Sequence, residues 1–225
     1  MSRAALLVLA DGRFPAGGHA HSGGAEAAVK AGHITDAASL EAFCRGRLHT
    51  SGAVTASLAA AAALGVDPEE LDRAADARTP SPALRAVARR LGRQLMRAAR
   101  ATWPDPGLEV LAGRFPKGAH QPVVLGLAAR AAGLGALDAA YCSAYEGVSG
   151  PATAVVRLLG LDPFDATAVL ARLAAEVDRV AADAVEAAQL ALSDEGADAL
   201  PARSAPLLEI GAEAHAAWAV RLFAS

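Results

Sequence analysis

The sequence predicts an all-α fold, a single-domain helical bundle of roughly eight to ten helices spanning residues 1–225. Three observations predict it. Hydrophobic residues make up 53% of the chain while aromatics supply only 4%, so alanine, the best helix former, dominates the apolar set. No stretch alternates apolar and polar residues over a strand's length, and the β-branched and aromatic runs that a sheet wants are missing. Helix-start signals recur along the chain as an acid or serine followed by proline.

The elements follow in order. A short apolar helix precedes a glycine-dense loop from Asp11 to Gly24. A helix is expected from about Ala25 to Ala31, with Gly32 just past its end. Thr35 or Asp36 can cap the next one, in which Leu40, Phe43 and Leu48 recur at helical spacing and which runs into Val54 and Leu58 after a break near Gly52. Asp67-Pro68-Glu69-Glu70 opens another helix with proline at its first position and acids in its first turn. Ser81-Pro82 starts the clearest one, with Leu84, Val87, Leu91 and Leu95 on one face and Arg85, Arg89, Arg93 and Arg97 in a row on another. Trp103–Gly107 and Gly113–Gly118 read as breakers.

Gln121-Pro122 begins an apolar helix through Val123, Val124, Leu127 and Ala128. Leu137 to Tyr145 and Pro151 to Leu159 read as two helices around a hinge at Gly147–Gly150. Asp165 is the expected cap of the longest helix, striped by Val169, Leu173, Val177 and Val180. Residues 193–204 are small and polar and read as a flexible loop. The tail, 206–225, is expected to end on an amphipathic helix carrying Trp218, Leu222 and Phe223.

The net charge is −3 and the pI about 6.1, which gives the whole molecule no nucleic-acid signature. Cys44 and Cys142 form no CxxC pair and read as small buried hydrophobes. Neither a signal peptide nor a membrane span is expected: the alanine-rich run from Gly52 to Val66 is too short to cross a bilayer. The protein is expected to be cytoplasmic.

Motifs for chemistry fail one by one. Gly113-Arg-Phe-Pro-Lys-Gly118 has the glycine spacing of a phosphate loop, but Ala119-His120 stand where Lys-Ser/Thr must be. Gly133-x-Gly135 is followed by Asp138 where a dinucleotide fingerprint needs glycine. His21-Ser22-Gly23-Gly24 approaches a nucleophile elbow, which would make Ser22 a hydrolase nucleophile, but no strand delivers the serine. His19 and His21 with Glu26 could chelate a divalent ion weakly, since imidazoles suit nickel and zinc, yet no further ligands or supporting shell stand nearby. The preferred reading of the two histidines is one bonded to the loop backbone and one facing solvent.

Two features stay open. The arginine row costs a few tenths of a kcal/mol per like-charged pair; it is either a solvated face with acids on other elements or a contact for an acidic partner. The terminal Arg221-Leu222-Phe223-Ala224-Ser225 carries apolar bulk that should dock, either on its own core or in a partner's groove.

The pieces resemble one family, UreF. Asp11, Pro15-Ala-Gly17-Gly18 and His21-Ser22-Gly-Gly24-Ala-Glu26 resemble its N-terminal signature. Arg85 to Leu95 with Gly92 is similar to its basic helix, and His120-Gln-Pro122…Gly126 and Ala154-Val-Val-Arg157-Leu158 are similar to later segments. Pro206 to Ser225, with His215 and Arg221-Leu222-Phe223, resembles its closing tail. Departures stand at His19, Gly23, Ala88, Asp162-Pro163 and Ala216. The resemblance implies an all-α, non-catalytic urease accessory protein that dimerises; from the residues themselves no cofactor and no tight metal site are expected. It implies binding to UreD (also called UreH), recruitment of the GTPase UreG and action on apo-urease, where nickel enters. The implied partner-binding residues are Pro15, Gly17, Gly18, His21, Ser22, Glu26, Arg157, His215, Arg221, Leu222, Phe223 and Ser225. For Arg157 an internal role at a helix end is the equal alternative. The competing function is a small nickel carrier built on the His19/His21 loop.

Overall fold

A computed structural model describes residues 3–193 and 195–224, and among them every regular element is helical. In order these are α1 (Arg3–Ala10), α2 (Ala25–Lys30), α3 (Ala37–Arg47), α4 (Ala53–Leu64), α5 (Pro68–Ala77) and α6 (Pro82–Thr102). They continue with α7 (Pro106–Arg114), α8 (Gln121–Ala131), α9 (Ala136–Leu159), α10 (Pro163–Leu190) and α11 (Pro206–Ala216). A π turn, Leu48–Gly52, joins α3 to α4 with right-handed helical dihedrals at both ends, so the break expected near Gly52 is a bulge inside one continuous rod. The widened turn frees carbonyls, and the Thr50 hydroxyl donates to one of them, that of Gly46. None of the helices among the described residues is long and apolar enough to cross a membrane.

The alanine run has a positive role: it is the centre of the molecule. In α4 nine residues from Ala53 to Ala62 are buried, all but Thr55, and α8, α9 and α10 pack around it. A helix apolar on every side belongs in a core. Alanine there lets backbones approach, and Gly126 of α8 carries this furthest, since a β-carbon on it would overlap the Ala59 carbonyl of α4. The stripe Val169, Leu173, Val177 and Val180 seals α10 against this centre.

Four elements differ from the sequence expectation, each for a visible reason. Trp103–Gly107 and Gly113–Gly118 bracket a helix, α7: Asp105 accepts the Gly107 N–H at 2.8 Å, and Leu108 and Leu111 are buried one turn apart. The cap of α10 is Asp162, whose carboxylate accepts the Phe164 N–H at 2.8 Å, with Pro163 next; Asp165 lies in the first turn. Residues 217–224 are not helical, so the terminal amphipathic helix is replaced by an irregular tail beyond α11. Apart from these differences, the segment 193–204 meets Arg78, which donates to the carbonyls of Ala197, Leu200 and Pro201 at 2.8, 2.9 and 3.0 Å.

The fourth difference is α9, which runs unbroken through the expected hinge with Pro151 inside it. A proline in mid-helix has no N–H for the carbonyl four residues back, here that of Gly147. Arg47 of α3 supplies the missing donor: its Nε reaches the Gly147 oxygen at 2.9 Å. The Cys44 thiol, one turn earlier on α3, lies 3.7 Å from the next carbonyl, Val148. Both cysteines are buried, and burial pushes their thiols up to about 12, which leaves them inert packing groups.

Arg47→Met should therefore cost about 2 kcal/mol or more, because it orphans a carbonyl inside the bundle. In a Pro151→Ala background, where residue 151 regains an N–H for Gly147, that cost should shrink by about 1 kcal/mol. Denaturant unfolding of the four proteins measures the coupling, and strictly additive effects would refute the assignment.

Candidate functional site

The two chain ends meet, and one side chain brings them together. Glu26 lies in the first turn of the short helix α2 and is buried. Its Oε1 accepts the Leu222 N–H at 2.7 Å, and its Oε2 accepts the Phe223 N–H at 3.0 Å and meets His215 Nε2 at 2.8 Å. The carboxylate oxygens stand in for the i−4 carbonyls that these two amides would have met in a terminal helix. Beside them the Ala224 N–H donates to the Ala20 carbonyl at 2.8 Å. Burial pushes the Glu26 carboxyl up, but the hydrogen bonds from His215, Leu222 and Phe223 outweigh it and hold the group below its ordinary range.

The loop that presents Glu26 is shaped from below. Phe14 is buried and stacks on Trp103 with ring centroids 5.6 Å apart, which pins the loop to the end of α6. The Gly23 carbonyl accepts from Arg47 Nη1 at 3.0 Å, so the arginine that completes α9 also fixes the loop. Gly24 has φ +89°, open to glycine at little cost, and a β-carbon there would strike Leu208 of α11. Ser22 is fully buried and its Oγ accepts the Glu26 N–H at 3.2 Å. It braces the start of α2, and its burial removes the solvent-facing turn that a hydrolase serine requires.

The tail is gripped on its other side as well. Lys30 Nζ sits 3.8 Å above the Trp218 ring, and the His215 ring lies 4.7 Å from it. The Arg157 guanidinium covers the buried Phe223 ring at 5.0 Å, so Arg157 serves its own chain's tail. Of the residues that the sequence singled out, the structure brings together His21, Ser22, Glu26, Arg157, His215, Leu222 and Phe223. Pro15 is exposed on the loop, Gly17 and Gly18 are half-buried, Arg221 is exposed, and Ser225 lies outside the described residues.

Next to the latch is a cavity of about 400 Å³ walled by Phe14, His19, His21, Gln121, Glu146 and Phe223 among others. Burial, with Arg90 and His19 nearby, pushes His21 down to about 4, so its imidazole is neutral at physiological pH. Glu26 faces the tail and contributes no carboxylate to the two histidines. Among the described residues, one group has ligand atoms close enough for a metal: Asp72, Asp76 and His120, within 4.8 Å of one another. The cation they surround is a guanidinium. Arg89 Nη2 lies 2.9 Å from Asp72 and 2.8 Å from Asp76, while His120 Nε2 meets Asp76 at 2.7 Å and the His120 N–H donates to Asp72 at 2.7 Å. The isolated sequence position of His120 gave no hint of this network, because its partners are 44 and 48 residues away. Arg47 was likewise missed; the one signal was a mid-helix proline in need of a donor. Lys30 and Trp218 could have been found, since Lys30 lies one turn from Glu26 and Trp218 one turn from His215.

Fold and latch define an all-α protein in which buried Glu26 and His215 join the two ends of the chain. A model of the UreF family matches residues 34–174. The chain is 45% identical to the urease accessory protein UreF of Mycolicibacterium vanbaalenii, over 100% of this chain and 99% of that one. It is 42% identical to the UreF of Mycobacterium marinum over 99% and 98% of the two chains, and 43% identical to that of Mycobacterium tuberculosis H37Ra over 90% and 94%. The chain belongs to the UreF family of urease accessory proteins.

Glu26→Gln keeps the shape of the latch and removes its charge. Trypsin should then cut faster after Arg221, and the Leu222 and Phe223 amides should exchange faster, with the bundle itself intact. The pH dependence has a definite sign. A carboxyl held below its ordinary value of 4.5 stabilises the docked tail in full above that value and loses hold as pH falls through the lower, folded-state value. Exchange rates of those two amides that ignore both the substitution and acidification would remove Glu26 from this role.

Proposed function

We propose that this chain is a non-catalytic scaffold for urease maturation. In this reading it binds UreD (UreH) and the GTPase UreG, modulates GTP hydrolysis and supports nickel insertion into apo-urease, working as a homodimer in the cytoplasm. The observation that carries it is an apolar strip on the latched C-terminal region. Leu207, Ile210, Val220 and Leu222 are 73, 66, 86 and 55% exposed, on a segment that Glu26, His215 and Arg157 hold in place. Large exposed apolar side chains on an ordered element suit a protein partner, and pre-ordering lowers the entropy cost of binding them. UreD is the assigned occupant, through Arg221, Leu222 and their neighbours. In the same reading the loop residues Pro15, Gly17 and Gly18 add to the partner-binding surface.

A nickel carrier is the competing reading, favoured by the cavity that His19 and His21 share and by the neutral imidazole of His21. With Glu26 bonded to the tail, it has two protein ligands rather than three, too few for a tight site.

Co-purification with UreD and UreG from one source, with GTP and magnesium, tests the scaffold. The full chain should hold both partners, and removal of residues 221–225 should release UreD. Partner capture that survives the truncation would refute docking through the tail. A folded chain that captures neither partner but binds nickel stoichiometrically, reversibly with EDTA, would favour the carrier.

A further inference from the structure

The arginine row of α6 divides by what each guanidinium touches. Arg85 donates to the carbonyls of Thr79 and Pro80, and Arg89 is enclosed by Asp72 and Asp76. Further along the helix Arg100 pairs with Glu109, and across the groove Arg114 pairs with Glu69. Two members are left over. Arg93 has a 3.4 Å contact to the Lys117 carbonyl, and Arg97 has no hydrogen bond or ion pair among the described residues. Both are exposed, one turn apart on the same face.

These two arginines stand on the rim of a groove of about 280 Å³ between α6 and α7, with Met96, Leu111, Ala112 and Phe115 among its lining residues. Residues 85–117 hold eight arginines and lysines against two acids, in a chain whose net charge is −3. Arg89, Arg100 and Arg114 are ion-paired, whereas Arg93 and Arg97 meet no carboxylate among the described residues. Like charges one turn apart repel along the helix, and the pairing of Arg89 with Asp72 and Asp76 relieves only part of that repulsion.

We infer that the groove between α6 and α7 binds an acidic amphipathic helix of a protein partner. Carboxylates one turn apart on the incoming helix would face Arg93 and Arg97, and an apolar side chain between them would enter the groove against Phe115 and Met96. Arginine's planar fork matches carboxylates in this way, and the apolar floor supplies the area that a charge pair alone lacks. A nucleic acid fits less well: the basic track is short, and Phe115 is the one aromatic ring beside it. The surface is separate from the Glu26 latch and does not rest on the maturation reading.

The test is fluorescence anisotropy of the full chain with a labelled synthetic amphipathic helix, glutamates at i,i+4 beside leucines. Controls are the same helix with leucines changed to serine, and a mixed-sequence RNA oligonucleotide. Binding of the acidic helix should weaken about tenfold or more in Arg93→Glu/Arg97→Glu. It should also weaken with added salt and with the serine control. Both substituted side chains are exposed, and circular dichroism verifies the fold of the variant. No binding by the native chain, equal binding by the variant, equal binding of the serine control, or tighter binding of RNA would each overturn the inference.

Discussion

A proline in the wall of the core makes one arginine indispensable. Pro151 sits in α9, against the alanine helix around which the bundle is built, and strips the Gly147 carbonyl of its partner. Such a carbonyl cannot stay bare inside a bundle, and a break in the helix would have been the simple relief. The chain instead reaches across from α3, and the same guanidinium goes on to the Gly23 carbonyl of the N-terminal loop. Because Arg is charged at every accessible pH, burying it demands such acceptors. The position of the loop is thereby tied to the integrity of α9.

From that fixed loop the second junction follows. Gly24 and Ser22 shape the start of α2, α2 aims Glu26, and Glu26 takes the amides of a tail almost two hundred residues away in the chain. A tail of this kind would normally fray. Here the Leu222 and Phe223 amides are met by one carboxylate, so the tail is held without helical pairing while Val220 and Leu222 stay exposed. Order at a chain end is what turns exposed apolar side chains into a defined surface, and that is the physical basis for reading this region as a docking element.

The sequence made the bundle legible wherever the information was local. Asp67 and Ser81 cap the helices they open, Asp36 rather than Thr35 caps α3, and the valine–leucine stripe of α10 is buried as its period requires. Misreadings fell where a distant group overrules a local rule. Gly147 and Pro151 spell a hinge only if nothing supplies the missing donor. The glycines around α7 spell a break only if Asp105 is not counted as a cap. The apolar residues from Trp218 to Phe223 spell a helix only if their amides have no better acceptor. The site residues were gathered by resemblance, whereas their arrangement needed the third dimension: that Arg157 covers Phe223 and that His215 meets Glu26 is invisible at separations of this size.

Three charged centres share one architecture: Arg47 among carbonyls, Glu26 among amides and His215, and Arg89 between Asp72 and Asp76. Such groups are weak sources of net stability, because desolvation takes back much of what pairing provides. Their value lies in discrimination among alternative packings. An alanine-rich core is nearly featureless, and helices lined with one small side chain can slide or rotate against each other with little change in contact. A buried charge with geometrically specific partners forbids most of those alternatives, since each would leave it alone. Arg47 sets the register of α3 on α9, Arg89 that of α6 on α5, and Glu26 that of the tail on α2. Arg93 and Arg97 then stand out by contrast, as charges on α6 that meet no carboxylate among the described residues.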